Sequence, residues 1–148
     1  QNAIDRFLGY KKALEDHNIP FDSSLVYPCK NVTFEEGRAF AKQLHEEHPD
    51  VDGIFAVTDL VAVGALDYFN EVGIKVPEDI KIIGFSNWFM SQVITPKLST
   101  IDQPSFEMGV ESFKLLLEEL VHKREIKEYK PKTIELETSI IERESTRC

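Results

Sequence analysis

The chain has 148 residues, of which 42% are hydrophobic, so it is long enough for one domain with a substantial apolar core. Its 26 acidic and 17 basic residues give a formal net charge of −9, which argues against this chain itself binding a nucleic-acid phosphate backbone, since that needs clustered lysines and arginines. No apolar run approaches the roughly 20 residues of a membrane-spanning helix, and the first residues show no signal-peptide pattern.

The first part of the chain alternates between helix-like and strand-like segments. Residues 3–17 place apolar side chains at helical spacing and predict an amphipathic helix. Residues 24–27 predict a short strand. Thr33 and Glu36 have the spacing of a capping box, which predicts a helix that continues to about Glu47.

The same alternation continues in the middle of the chain. Residues 51–57 predict a buried strand, and Thr58 with Asp59 predicts the cap of a helix that ends near Val72. Residues 80–85 form a nearly continuous apolar run, which is typical of a strand covered on both faces. Helices and strands in this order predict an α/β fold with a doubly wound parallel sheet.

After this strand the rhythm changes. Residues 86–96 are irregular and residues 97–103 are extended, while residues 105–122 show the strongest helical pattern in the chain. A charged connection follows over residues 123–131, and residues 132–145 predict one or two late strands.

One face of the helix over residues 105–122 is strongly apolar, and such a face needs cover. We expect it to contact another chain, or the same chain in an altered arrangement. Its residues are Phe106, Gly109, Val110, Phe113, Leu116, Leu117, Leu120 and Val121.

The cysteines and histidines favour no metal centre or disulfide framework. Cys29 and Cys148 are far apart in the sequence and are interpreted as free thiols. His45 and His48 could share a helix face, but a solvated helix end is the stronger interpretation because a metal site needs further ligands. We also find no nucleophile elbow, phosphate loop or paired-carboxylate motif, so we expect no enzyme activity, cofactor or metal.

Four stretches together resemble the ligand-sensing domains of bacterial LacI/GalR-type transcription regulators. The most specific are Val-Pro-Glu-Asp-Ile-Lys-Ile-Ile-Gly-Phe at residues 76–85 and Pro-Lys-Leu-Ser-Thr-Ile-Asp-Gln-Pro at residues 96–104. Asp-Arg-Phe-Leu-Gly-Tyr-Lys-Lys-Ala-Leu at residues 5–14 and the segment over residues 52–66 are similar to two further motifs of that family. The order and spacing of the motifs carry the resemblance across nearly the whole chain.

The resemblance implies a type I periplasmic-binding-protein-like fold, of which this chain holds the second lobe while the first lobe is largely absent. Residues 1–97 would form the second lobe, residues 98–122 a crossover and helix that belong to the first lobe, and residues 123–148 the strands that return to the second. Fold-level resemblance leaves the ligand open.

For function, the resemblance implies a cytoplasmic, homodimeric regulator that binds a small effector, such as a sugar or related metabolite, in a cleft between two lobes. DNA would be bound only through a helix-turn-helix that precedes this chain, and no membrane partner is expected. The alternative is a solute-binding receptor of a sugar transport system, which shares the two-lobe fold. The turns at residues 76–79 and 96–104 favour the regulator, because the transport branch usually lacks them.

The resemblance also implies effector-binding residues. Arg6 matches an arginine that binds ligand oxygens, although a surface arginine paired with Asp5 explains the residue without a ligand. Thr58 and Asp59 follow a predicted strand at the edge where ligands bind in parallel sheets, although helix capping alone explains an Asp there.

Ser86, Asn87 and Trp88 follow the next predicted strand and complete the expected effector site. Ser86 stands where most relatives have Asp, so a sugar held by a charged acceptor at this position is put in doubt. Asn87 and Trp88 are interpreted as compensating contacts, with packing of the indole beneath the loop as the alternative. Val32 falls near a position where relatives often place an aromatic side chain.

Overall fold

A computed structural model of the protein describes residues 2–124 and 130–147. Helices and strands alternate from residue 34 onward, as the hydrophobic pattern predicts there. The elements are α1 (Asn2–Asp16), α2 (Phe34–Glu47), β1 (Gly53–Phe55), α3 (Asp59–Val72), β2 (Lys81–Phe85), α4 (Met90–Val93), β3 (Ser99–Asp102), α5 (Ser105–Arg124) and β4 (Ser139–Ile141).

The strands form one mixed sheet with the order β1-β2-β3-β4. The first three are parallel, with Phe55 beside Ile83 and Phe85 beside Ile101, whereas β4 runs antiparallel to β3. The α/β class is therefore confirmed, and the predicted parallel arrangement is confirmed for β1, β2 and β3. Because β1, β2 and β3 point the same way, their carboxyl ends share one edge of the sheet, which we call the carboxyl edge.

The apolar core lies between α3 and the sheet. Ala62 and Phe69 on α3 are almost fully buried, as are Ile82 on β2 and Leu98 just before β3. Burial of such side chains contributes about 1.5–3 kcal/mol each to folding. The core therefore fixes α3 against β2, so that the amino terminus of α3 lies at the carboxyl edge.

Helices α2 and α3 approach each other so closely that side chains are excluded from part of their interface. A Cβ atom on Gly64 would overlap the carbonyl oxygen of Phe34, and one on Gly37 would overlap that of Val61. Arg38 forms ion pairs with acidic side chains of α3 beside this contact. The absence of side chains at the two glycines permits the short distance between the helices.

The amino terminus of α2 confirms one half of the predicted capping box. The Oγ1 atom of Thr33 accepts a hydrogen bond from the N–H of Glu36 at 3.2 Å. The Glu36 carboxylate accepts from the N–H groups of residues 30–32 at 2.6–2.9 Å. These bonds hold the turn before α2 and lower the pKa of Glu36 below its ordinary value.

The strand predicted over residues 24–27 is wrong. Residues Ser23–Leu25 form a 3-10 turn instead, because the Asp22 carboxylate accepts from both the N–H and the hydroxyl of Ser24 and bends the backbone locally. His45 lies in the last turn of α2, at the helix end predicted for it. Its Nδ1 lies 3.0 Å from the Tyr68 hydroxyl, and the side chain is half-buried.

The late part of the chain contributes β4 and a buried turn. The described part of residues 132–145 contains one strand, and a 3-10 turn follows at Glu144–Thr146. Within this turn, fully buried Ser145 donates to the carbonyl of Ile82 at 2.6 Å and accepts from the N–H of Ser99 at 2.8 Å. The segment after β4 therefore supplies hydrogen bonds to both β2 and β3.

Helix α5 is confirmed, and none of its residues is buried. Its apolar face includes Phe106, which is 78% exposed, and Phe113, which is 59% exposed. The charged connection predicted after it falls partly on residues 125–129, which lie outside the described residues. None of the described helices is long and apolar enough to cross a membrane.

The contact between α2 and α3 leads to a stability prediction. Gly64→Ala should lower the free energy of unfolding by about 2 kcal/mol or more, because the added methyl group forces the two backbones apart. Gly9→Ala is the matched control, since Gly9 lies in α1 and a Cβ atom there meets nothing within 4 Å. The control should be neutral or stabilising by up to about 1 kcal/mol. Urea denaturation followed by circular dichroism measures both effects, and equal stabilities of the two variants would contradict the prediction.

Candidate functional site

The carboxyl edge of the sheet brings several predicted site residues together. Thr58 and Asp59 follow β1, residues 86–88 follow β2, and α1 places Arg6 against the same edge. Ligands of open parallel sheets bind beyond the carboxyl ends of the strands, so this edge is the candidate site.

Arg6 links α1 to the ends of β1 and β2. Its Nη1 donates to the carbonyl of Val57 at 2.7 Å, and its guanidinium carbon lies 3.7 Å from the centre of the Phe85 ring. Burial lowers the pKa of Arg6 below its ordinary value, and a guanidinium remains charged at neutral pH. Stacking on a ring leaves the remaining N–H donors of the planar group in position to bind oxygen atoms.

Thr58 caps α3, as its sequence position predicts. Its Oγ1 accepts from the N–H of Val61 at 3.4 Å, and its backbone is extended. A threonine hydroxyl that accepts one bond still carries a proton to donate. The structure thus gives Thr58 a structural role that is compatible with a contact to a ligand.

Asp59 is fully buried, and both of its oxygens are engaged within the protein. Oδ1 accepts from the Thr100 hydroxyl and Oδ2 accepts from the N–H of Trp88, each at 2.6 Å. Burial raises the pKa of the Asp59 carboxyl, although these hydrogen bonds and the charge of Arg143 act in the opposite direction. In this structure the Asp59 carboxylate binds two elements of its own chain.

Gly84 makes room for this carboxylate. A Cβ atom at residue 84 would overlap Oδ1 of Asp59. A glycine within a strand permits such a close approach, and the partner here is the buried acid at the start of α3.

The loop after β2 has an unusual backbone. Ser86 has φ 112° and Asn87 has φ 49°, a region that residues with a side chain adopt only at a cost of about 1–3 kcal/mol each. Three hydrogen bonds hold the loop: Ser86 N–H to Ile101 O at 2.8 Å, Asn87 N–H to Thr100 Oγ1 at 3.1 Å, and the bond from Trp88 to Asp59. The loop is thus held by groups of the chain itself.

A second set of polar contacts at this edge was missed from the sequence. Arg143, which follows β4, donates to the Asn87 side-chain oxygen and to the carbonyl of Leu98, both at 2.7 Å. The Asn87 amide nitrogen in turn donates to Oδ1 of Asp102 at 2.7 Å. Asp102 could have been found as a polar residue at the end of a predicted strand, whereas no local signal marks Arg143.

Trp88 and Phe89 expose their rings next to this network. Trp88 is 47% exposed and Phe89 is 66% exposed, so the indole is not packed beneath the loop. An exposed indole offers a flat apolar surface together with one N–H donor. Val32, by contrast, is half-buried and packs against the core.

The predicted residues therefore fall into two groups. Asp59, Asn87 and Trp88 are joined by hydrogen bonds through Thr100 and the loop backbone, whereas Arg6 lies on the ends of the neighbouring strands. Within the described ranges, no three His, Cys, Asp or Glu side chains are grouped so that they could hold a metal ion. Cys29 is a free thiol whose pKa is raised by burial, and Cys148 lies outside the described residues.

Comparison with known proteins agrees with this geometry. Residues 1–146 match the family of periplasmic binding protein-like domains. The chain belongs to this family. The predicted resemblance to LacI/GalR-type regulators is confirmed as well, because the relatives of this periplasmic binding protein-like domain are transcription regulators.

Two curated relatives illustrate the match. The ribose operon repressor of Halalkalibacterium halodurans is 30% identical over 145 residues, which are 98% of this chain and 41% of the repressor. The transcriptional repressor PurR of Yersinia pestis is 34% identical over 140 residues, which are 95% of this chain and 40% of PurR. This periplasmic binding protein-like domain thus spans about two fifths of the length of these relatives.

Solved structures give the same result. A LacI family regulator from Enterococcus faecium with bound ribose is 35% identical, has a TM-score of 0.84, and is matched over 97% of this chain and 51% of its own. The complex of the regulator CelR with cellobiose is 30% identical, has a TM-score of 0.88, and is matched over 96% of this chain and 42% of its own. The fold of this periplasmic binding protein-like domain is therefore that of LacI family regulators.

The hydrogen bonds of Asp59 lead to a second prediction. Asp59→Asn should destabilise the protein by about 1–3 kcal/mol, because an amide cannot accept from both Thr100 and the Trp88 N–H without turning a donor toward one of them. Asp52→Asn, at an exposed position, is the control and should change stability by less than about 0.5 kcal/mol. Thermal unfolding of both variants measures the difference, and an unchanged Asp59→Asn would show that these bonds contribute little.

Proposed function

We propose that this chain forms the second lobe of the effector-sensing domain of a DNA-binding transcription regulator, and that a sugar-like molecule binds at its carboxyl edge. The observation that carries the proposal is the convergence of Arg6 and residues 86–88 on that edge, in a chain whose relatives are regulators. The proposed role is binding, without a chemical reaction.

The groups at the edge favour an effector that is rich in hydroxyl groups. Arg6 offers several N–H donors, Thr58 and Ser86 offer hydroxyls, and Trp88 presents an exposed ring on which the apolar face of a sugar can stack. The similar regulator from Enterococcus faecium has ribose bound and CelR is in complex with cellobiose, which supports the same class of ligand here.

A complete site would need a first lobe that faces this one across the carboxyl edge. The exposed helix α5 supports the existence of that first lobe. The apolar face of α5 is uncovered, although β3 and β4, which flank this helix along the chain, are paired in the sheet. We propose that residues 98–122 cross to a first lobe formed by another part of the same protein, and that residues 123–148 return from it to the lobe formed by residues 1–97. This division agrees with the chain spanning about two fifths of its curated relatives.

Regulation would follow from closure of the two lobes on the effector. An effector that binds the closed form more tightly than the open form shifts the population toward closure, and this difference in affinity is sufficient for control. DNA would be bound by a helix-turn-helix in a segment preceding this chain, in a cytoplasmic homodimer. Dimerisation through this lobe is supported by exposed apolar side chains at the contact between α3 and α4, which a partner could cover. They are Leu60, Phe89 and Val93.

The effector class can be tested on the complete protein that contains this chain. A thermal-shift screen of neutral mono- and disaccharides, including ribose and cellobiose, should identify at least one that raises the melting temperature, because a bound ligand stabilises the folded state by mass action. Arg6→Ala should remove most of that shift, since the guanidinium is proposed to bind ligand oxygens. Arg147→Ala, at an exposed arginine, is the control and should retain the ligand-induced rise in melting temperature.

Two results would contradict the proposal. If no neutral sugar stabilised the complete protein, the proposed effector class would be wrong. If a sugar stabilised Arg6→Ala as much as the wild-type protein, sugar sensing would stand and Arg6 would be removed from the site.

The two-lobe arrangement predicts that α5 is covered in the complete protein. Phe113→Ala should therefore cost about 3 kcal/mol of stability there, which is typical of a buried phenylalanine. Lys114→Ala, at the next position of the same helix, should cost less than about 1 kcal/mol because its ion pair with Glu111 is exposed. Urea denaturation of both variants makes the comparison, and equal effects would indicate that α5 remains exposed.

A further inference from the structure

Asp102, at the carboxyl end of β3, was not among the residues predicted from the sequence. We propose that Asp102 is a specificity-determining residue whose carboxylate accepts hydrogen bonds from hydroxyl groups of the effector. This inference rests on the proposed sugar-sensing function and adds the group that selects a neutral, hydroxyl-bearing ligand.

The register of the sheet places Asp102 beside the loop that follows β2. Ile101 pairs with Phe85, so Asp102 lies one residue further toward the carboxyl edge. Its Oδ1 accepts from the Asn87 side chain at 2.7 Å. Asp102 is therefore a direct neighbour of the residues already assigned to the site.

The two carboxylates Asp59 and Asp102 at this edge differ in what they can still bind. Asp59 is fully buried, and both of its oxygens accept from Thr100 and Trp88. Asp102 is half-buried, and within the described residues only its Oδ1 accepts a hydrogen bond. An ionised carboxylate accepts through both oxygens, so Oδ2 of Asp102 retains the capacity to bind a ligand donor.

Arg143 holds this carboxylate in place through Asn87. The Asn87 Oδ1 atom accepts from Nη2 of Arg143 at 2.7 Å, which leaves its NH₂ group to donate toward Asp102. Arg143 is fixed in turn by Nη1, which donates to Leu98 O at 2.7 Å and to Ser91 Oγ at 3.0 Å. Arg143 and Asn87 are thus positioning residues, and the acceptor is oriented before the effector binds.

The charge of Asp102 defines the chemistry that it selects. A hydroxyl group that donates to a carboxylate forms a charge-assisted hydrogen bond, which is stronger than one between neutral partners. A phosphate or carboxylate group at the same place would meet a like charge. Asp102 therefore favours a neutral sugar over an anionic one at this part of the site, where Ser86 provides no charge.

A coupling experiment on the complete protein tests this role. Calorimetry measures the affinity of wild-type protein and Asp102→Asn for the neutral sugar with the largest thermal shift, and for each of its monodeoxy analogues. Asp102→Asn should weaken binding of the parent sugar about tenfold or more. One deoxy analogue should bind the wild-type protein correspondingly more weakly than the parent sugar does. The Asp102→Asn variant should bind that analogue and the parent sugar with equal affinity, because the missing hydroxyl and the missing charge are partners.

Asp50→Asn, at an exposed aspartate, is the control and should leave every affinity unchanged. If Asp102→Asn is unstable, Asp102→Glu provides the same test, since it keeps the charge but moves the carboxylate and should lose the coupling to the same hydroxyl.

Three other outcomes have distinct meanings. Affinity of Asp102→Asn within about twofold of the wild-type value would overturn the assignment of Asp102 and leave sugar sensing intact. Equal weakening of the parent sugar and of all deoxy analogues would also overturn it, by showing that Asp102 only supports Asn87. Failure of the wild-type protein to bind any neutral sugar would overturn the proposed function itself, and this inference with it.

Discussion

The buried carboxylate of Asp59 makes the interaction on which the arrangement of this domain depends. It joins three elements that are distant in the sequence, because it starts α3 and accepts from Thr100 in β3 and from the backbone of Trp88 in the loop after β2. Gly84 leaves the space that the carboxylate occupies between them. A polar group without a partner at this depth would cost several kcal/mol, so the loop cannot move away without a large loss of stability.

Rigidity at this point bears on the ligand binding that we propose for the carboxyl edge. The backbone of Ser86 and Asn87 adopts conformations that are unfavourable in isolation, and it keeps them because neighbouring groups satisfy its N–H donors. The backbone of residues 86–88 is therefore held in one conformation at the carboxyl edge. A site held in this way spends less of its binding free energy on ordering itself, which favours small ligands with few contacts.

Much of the fold could be predicted from local patterns, whereas the polar network could not. Apolar periodicity predicted α1 and α5, capping signals predicted α2 and α3, and a continuous apolar run predicted β2. The motifs over residues 76–104 indicated the family. The strand over residues 24–27 was wrong because a single Asp22 side chain bends the backbone there, which hydrophobic spacing does not report. Arg143 lies 56 residues from Asn87 in the sequence, and only the folded sheet brings them together. The cap predicted at Thr58 and Asp59 is formed by Thr58 alone, whereas the Asp59 carboxylate binds Thr100 and the loop after β2. The burial of Asp59 depends on Gly84 and Thr100, which belong to other strands.

The contacts of Ser145 have a consequence for the order in which the domain can form. Ser145 is separated by 46 residues from Ser99 and by 63 residues from Ile82, yet it bonds to both at the centre of the sheet. When β1, β2 and β3 have been synthesised, the Ser145 hydroxyl that bonds to Ile82 and Ser99 does not yet exist. The ribosome must first synthesise the whole of α5. The sheet is completed late, after the longest of the described helices has already had time to fold.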